Sequence, residues 1–210
     1  MKQLWNKLAK KNSKYFINSD HGKGITEEEF IKSGRKDFLD LVWNDPLLKD
    51  NLFNPFLEIG CGTGRILEHA RIWKYTILGI DISGEMIKQA RKRCPTIYFA
   101  ETDGYTIPFA DNSIGLVFSY LVFQHMKTKE MVESNLKEAF RVLKPGGIFK
   151  VRLRTDSIND KMHKWWAGVH YNQEEAIKIS EKIGFEIIKT QQVEDYGLWV
   201  WLKKPLLHLT

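Results

Sequence analysis

Apolar positions along this chain fall into two rhythms that take turns, short unbroken runs and longer stretches at helical spacing. Runs at 56–59, 76–80, 97–100, 116–118 and 148–153 read as buried strands. Between them, 64–72, 84–94 and 131–143 carry apolar residues on one helical face. A strand that alternates with a helix predicts βαβ units and a parallel sheet. The pattern then closes with a helix over 172–183, stopped by Gly184, and two strands over 186–192 and 196–203.

Ahead of the first strand the pattern is helical. Leu4, Trp5, Leu8 and Phe16 sit among lysines as a weakly amphipathic helix over 4–16. Thr26-Glu27-Glu28-Glu29 is a capping-box pattern opening a second helix, whose face is Phe30, Ile31, Phe38, Leu41 and Val42, with Gly34 marking a break. Ser83 reads as an N-cap. Lys144-Pro145-Gly146-Gly147 is read as a helix stop. Residues 155–171 follow neither rhythm, and no internal repeat or linker is visible.

Composition narrows the class. At 210 residues with 43% hydrophobic and 12% aromatic content, the chain suits one globular domain rather than a disordered segment. No apolar stretch is long enough to span a bilayer, and the first residues lack the apolar region of a signal peptide, so a cytoplasmic location is expected. The two cysteines, Cys61 and Cys94, form neither a disulfide framework nor a metal-ligand spacing, so no metal is expected. The net charge of +6 gathers near the start, where Lys2, Lys7, Lys10, Lys11, Lys14 and Lys23 face only Asp20. Without an aromatic-interleaved or groove-reading motif, a solvated basic helix explains it better than nucleic-acid binding.

The chemistry gathers at Phe56-Leu57-Glu58-Ile59-Gly60-Cys61-Gly62-Thr63-Gly64-Arg65. A glycine-rich turn from strand to helix exposes backbone N–H groups at the positive end of a helix dipole, as a cofactor cradle does. A dinucleotide fingerprint needs a third glycine three residues after the second, and Arg65 stands there. Glu58, before the first glycine, suits a cationic ligand better than a pyrophosphate. Asp81 ends the next strand, where α/β nucleotide folds place, about 20 residues on, the carboxylate that grips a ribose. Asp103 follows the third strand.

This ordered set resembles the class I S-adenosylmethionine-dependent methyltransferases, specifically the small-molecule type 11 group. Further marks are Asp81-Ile82-Ser83-Gly84-Glu85-Met86, the loop Pro108-Phe109-Ala110-Asp111-Asn112-Ser113 and the run Leu143 to Gly147. Ile114-Gly115 departs from the family's usual Phe-Asp. The resemblance implies a Rossmann-like fold, α/β and doubly wound, with a mostly parallel seven-stranded sheet and an antiparallel last strand. It implies an N-terminal helical cap or lid over 1–45 and a cofactor-binding core over 46–210, with a substrate cover near 155–171.

It also implies the cofactor, S-adenosylmethionine, and its contacts: Glu58, Gly60, Cys61 and Gly62 near the methionine end, Asp81 on the ribose, Ile82 and Met86 around adenine. Asp103 and Gly104 would meet the adenine amine, Ser119 would offer its carbonyl, and Arg35 would pair with the cofactor's carboxylate. Surface exposure is the plainer reading of Arg35, and core packing of Met86 stands level with its adenine contact. On the acceptor side stand Tyr120, His163, Trp165, Trp166, His170 and Tyr171, with His125 as a candidate base, for which capping or packing is the plainer role.

The expected reaction is methyl transfer to a small-molecule acceptor by in-line displacement, in a monomer or homodimer. The Asp/Asn-Pro-Pro-aromatic motif of amino-methylating nucleic-acid enzymes is missing after the fourth strand, where Tyr120-Leu121-Val122-Phe123 stands. An RNA, DNA or protein methyltransferase, or a non-catalytic module that binds the cofactor, are the alternatives.

Overall fold

The computed structural model describes residues 1–17, 24–52, 54–71, 75–155, 168–193 and 197–206. They fall into two compact units, Met1–Gly104 and Tyr105–Thr210. Seven strands form one sheet in the order β3-β2-β1-β4-β5-β7-β6.

In the first unit, helices α1 (Lys2–Ile17) and α2 (Glu27–Phe38) precede β1 (Phe56–Ile59), and the short α3 (Leu67–Ala70) leads to β2 (Ile77–Asp81). Helix α4 (Gly84–Arg93) then returns the chain to β3 (Tyr98–Glu101). Both β1–β2 and β2–β3 pair in parallel, with Glu58 opposite Gly79 and Asp81 opposite Glu101. Every residue of β1 is buried, whereas β3 at the sheet edge buries only Phe99. The run 97–100 is therefore not the buried strand expected from its apolar residues but an edge strand that leaves Tyr98 exposed.

The capping box of α2 is present: the Thr26 hydroxyl accepts from Glu29 N at 3.2 Å, and Glu29 Oε2 accepts from Thr26 N at 2.8 Å. Gly34, by contrast, does not break α2, which runs through it and passes into a π-helical turn at Leu39–Trp43. Its missing side chain serves close packing, since a Cβ there would lie 2.3 Å from the Arg65 carbonyl oxygen. The crossover helix is also shorter than the 64–72 expected, because Gly64 remains in the turn at φ 79°. The break in this region belongs to α1, where Asn12 is extended and its side chain caps the second half by accepting from Tyr15 N.

The second unit holds β4 (Ile114–Ser119), α5 (Lys129–Val142), β5 (Leu143–Arg154), α6 (Gln173–Ile183), β6 (Glu186–Val193) and β7 (Gly197–Lys203). Strand β4 is buried throughout, β4 and β5 are parallel, and β7 runs antiparallel to both β5 and β6. The expected antiparallel last strand is therefore present. Helix α5 ends at Val142, directly before the Lys144–Gly147 run expected to stop it, and β5 begins at Leu143 rather than at 148, so the same run is also the bulged start of that strand. Pro145 disfavours helical backbone at Lys144, and Gly146, at φ 81°, donates its N–H to the Lys204 carbonyl. Asn172 and Gly184 cap α6 as the sequence indicates, with Gly184 left-handed. Among the described residues no helix is long and apolar enough to cross a membrane, and no cluster of metal-ligating side chains is present.

Candidate cofactor site

Two successive turns, after β1 and after β2, build this site within the first unit. Gly60, Gly62 and Gly64 all have positive φ, at 74°, 54° and 79°, a region that glycine occupies without steric cost. Gly60 and Cys61 donate their N–H groups to the Ile80 carbonyl, which ties the turn to the end of β2. Gly62 N then donates to Asp81 Oδ2 at 2.9 Å, and Ser83 N donates to Asp81 Oδ1 at 2.8 Å. One carboxylate thus joins the glycine turn to the start of α4. Ser83 in turn caps α4 by accepting from Met86 N.

Burial sets the electrostatics. Glu58 is 4% exposed and its Oε2 has no hydrogen-bond partner. Desolvation pushes its carboxyl up to about 8, opposed by the Arg65 guanidinium and reinforced by Asp81 and Asp37. Asp81 is raised by burial to about 6, with the amides of Ser83, Gly62 and Ile82 holding it down. The Cys61 thiol, buried beside these acids, is raised well above its usual range, so it is no nucleophile at neutral pH.

An orphaned carboxylate beside a glycine cradle and an amide-held carboxylate suits a ligand that brings a positive charge and a diol. S-adenosylmethionine carries both, in its cationic groups and its ribose. Ile82 is half-buried and Met86 is 2% exposed within the core. Asp103 is exposed, and Gly104, at φ 86°, donates to the Thr102 hydroxyl.

Arg35 lies exposed on α2, so the buried guanidinium in this unit is Arg65, at 4% exposure, which pairs with Asp37 at 2.7 Å and bonds Ser33 at 3.2 Å. Sequence reasoning registered Arg65 only as a departure from a glycine pattern. The clue available was Asp37 on the helix that also carries Ser33 and Gly34. Asn6 was missed as well: its Oδ1 accepts from Ser83 Oγ at 2.7 Å and from Glu85 N at 3.1 Å. At the other end of α1, Ile17 lies over the turn, where a Cβ on Gly62 would meet its Cδ1 at 3.0 Å.

In the second unit Ser119 ends β4 and is fully buried. Tyr120 stacks on Trp199 at 5.6 Å with Arg152 over its ring, and Leu121 beside it adopts φ 58°, an uncommon conformation for leucine that marks a constrained segment. His125 closes a short 3-10 turn, its Nε2 3.3 Å from Gln124 Nε2. His170 is half-buried. Tyr171 is buried, with its hydroxyl lacking a partner and pushed up to about 12 by burial, which makes it a poor proton acceptor. His163, Trp165 and Trp166 lie outside the described residues.

Residues 57–151 match the family described as "Methyltransferase domain". Malonyl-[acyl-carrier protein] O-methyltransferase of Enterobacter lignolyticus is 28% identical over 116 residues, 55% of this chain and 45% of that protein. The 2-methyl-6-phytyl-1,4-hydroquinone methyltransferase of Synechocystis is 38% identical over 101 residues, 45% of this chain and 30% of that protein. The chain therefore spans less than half the length of these curated relatives. A SAM-dependent methyltransferase of Methanosarcina mazei shares the fold with a TM-score of 0.65 and 19% identity, covering 77% of this chain and 98% of that one.

A strand-order match and a motif match agree: the fold is that of the class I S-adenosylmethionine-dependent methyltransferases. Within that class, the stretch 57–151, a little under half of the chain, matches the type 11 methyltransferase domain.

Proposed function

We propose that this protein transfers the methyl group of S-adenosylmethionine to a small-molecule acceptor. The observation that carries the reading is the buried, unpartnered Glu58 carboxyl beside the turn whose Gly62 amide holds Asp81. The cofactor, when bound, supplies an activated methyl on a sulfonium that departs as a neutral thioether. Glu58 balances positive charge, and the turn of Gly60, Cys61 and Gly62, its amides held by Ile80 and Asp81, packs without side-chain obstruction against the methionine end. Asp81 accepts the ribose hydroxyls, while Ile82, Met86, Asp103 and Gly104 frame the adenine.

Ser119 as a carbonyl contact and Arg35 as a carboxylate partner complete the cofactor set on the strength of the family resemblance. On the same ground Tyr120, His163, Trp165, Trp166, His170 and Tyr171 are assigned to the acceptor. His125 is the proposed base for an acceptor that must lose a proton. Residues 1–45 act as a cap in this reading, which is supported by Asn6 on the first turn of α4 and Ile17 over Gly62.

A small acceptor is favoured by the names of the curated relatives, which include methyltransferases of quinone-type and acyl-carrier substrates. Incubation with methyl-labelled cofactor and a metabolite extract tests the reaction. Label in a low-mass product supports it, and label only in RNA, DNA or protein, or in nothing, refutes it.

A further inference from the structure

Helix α1 spends one face on α4 and leaves the other to solvent. Asn6 Oδ1 accepts from Ser83 Oγ and Glu85 N, the Ala9 carbonyl accepts from Gln89 Nε2 at 3.4 Å, and Ser13 Oγ donates to Gln89 Oε1. Leu4, Lys7 and Lys11, at helical spacing, fall on the side of the helix away from Asn6 and Ala9. All three are exposed, Leu4 by 38%.

This outer face is positive and uncompensated. Residues 1–17 hold five lysines and no acidic residue. Lys2 pairs with Glu101 and Lys14 with Glu27, whereas Lys7, Lys10 and Lys11 are exposed and have no ion pair among the described residues. On the neighbouring α4, Lys88 and Lys92 are likewise exposed, with no ion pair among the described residues. Like charges one turn apart, Lys7 with Lys11 and Lys88 with Lys92, work against their own helices. An anion from outside the chain is what this surface lacks.

The exposed leucine selects among anions. A nucleic-acid surface displays aromatic rings for stacking and arginines beside them. Helix α1 contains no arginine, and Trp5, Tyr15 and Phe16 are half-buried, the last two edge to face at 4.9 Å. An anionic bilayer instead takes ammonium groups at its headgroups and an apolar side chain at the acyl boundary, which is the combination that Leu4 and the lysines present.

We propose that the outer face of α1, joined by Lys88 and Lys92 of α4, docks this protein peripherally on an anionic lipid surface. Leu4 enters the acyl boundary, and Lys7, Lys10 and Lys11 meet the headgroups. The proposal does not rest on the methyl-transfer reading.

Co-sedimentation of the full chain with phosphatidylcholine vesicles, and with vesicles of equimolar phosphatidylcholine and phosphatidylglycerol, tests it. Binding to the anionic vesicles alone is expected, and added salt should weaken it. Lys7→Glu combined with Lys11→Glu should weaken it about twentyfold or more, from about fivefold per lysine near such a surface. Leu4→Ser should weaken it with the charge unchanged. Lys137→Glu combined with Lys178→Glu, the same charge change in the second unit, should leave it within about twofold. These side chains are exposed, and melting curves verify that each variant folds. No uptake by anionic vesicles, equal loss in the two double variants, or no loss with Leu4→Ser would overturn the proposal. So would tighter binding to a single-stranded RNA than to the anionic vesicles, which would assign the face to nucleic acid.

Discussion

Glu58 is a carboxyl whose chemistry departs far from its unfolded behaviour. Its carboxyl sits near 8 in the folded chain, above an unfolded value of about 4.3, so the folded state holds a proton that the unfolded state releases across that window. The Glu58 contribution to the stability of the ligand-free protein accordingly falls as pH rises from about 4.3 towards 8, by up to about 1.4 kcal/mol per unit. Glu58→Gln should flatten that fall in denaturant melts taken across pH. A cationic ligand favours the carboxylate, so cofactor binding should release a proton and tighten from pH 6 to 8, and Glu58→Gln should lose most of that pH dependence in calorimetry. Asp81→Ala removes the proposed diol acceptor and should weaken cofactor binding by about 1–3 kcal/mol. These two carboxylates were legible in the sequence because each stands at a fixed distance from a glycine turn or a strand end. Arg65 was not legible, since its partners Ser33 and Asp37 lie far upstream and only packing brings them to it.

At the scale of elements, α2 packs closely against the turn that carries Arg65. Gly34→Ala would drive a Cβ into the Arg65 carbonyl, so it should cost about 1–3 kcal/mol of stability by thermal or denaturant melting, despite alanine's better helix propensity. A gain in stability would show that the junction is looser than described. Helix α1 is held more lightly, through Asn6 on Ser83 and Glu85, Ser13 on Gln89 and Lys2 on Glu101. Asn6→Ala removes the acceptor of two of these bonds, so amides of α1 should exchange with solvent several-fold faster, by local opening, while those of β1 hold their protection. Periodicity revealed α1, α2, α4, α5 and α6. It could not reveal that Gly34 serves contact rather than interruption, because a glycine marks both a weak helix and a close approach.

At the scale of the whole molecule, strand order follows from where apolar runs are continuous and where they are not. Strands β1 and β4, buried throughout, read as unbroken apolar segments, while the edge strands β3 and β6 expose many side chains. Alternation alone made the βαβ units and the parallel sheet legible, and the doubly wound class came with the family resemblance. The antiparallel placement of β7 between β5 and β6 came only with the family resemblance, since no local signal in 197–203 sets strand direction. The start of β5 was misjudged for a physical reason: a Pro-Gly-Gly run ends a helix and admits a bulged strand equally well.

The account turns on the first unit being a receptor for a sulfonium nucleoside. Calorimetry of the purified chain with S-adenosylhomocysteine, which shares the diol and amino-acid end, tests this most directly. One molecule bound per chain, with affinity sharply reduced in Asp81→Ala, is the expected result; a flat titration for the folded wild-type protein, or equal affinity in the variant, would contradict it.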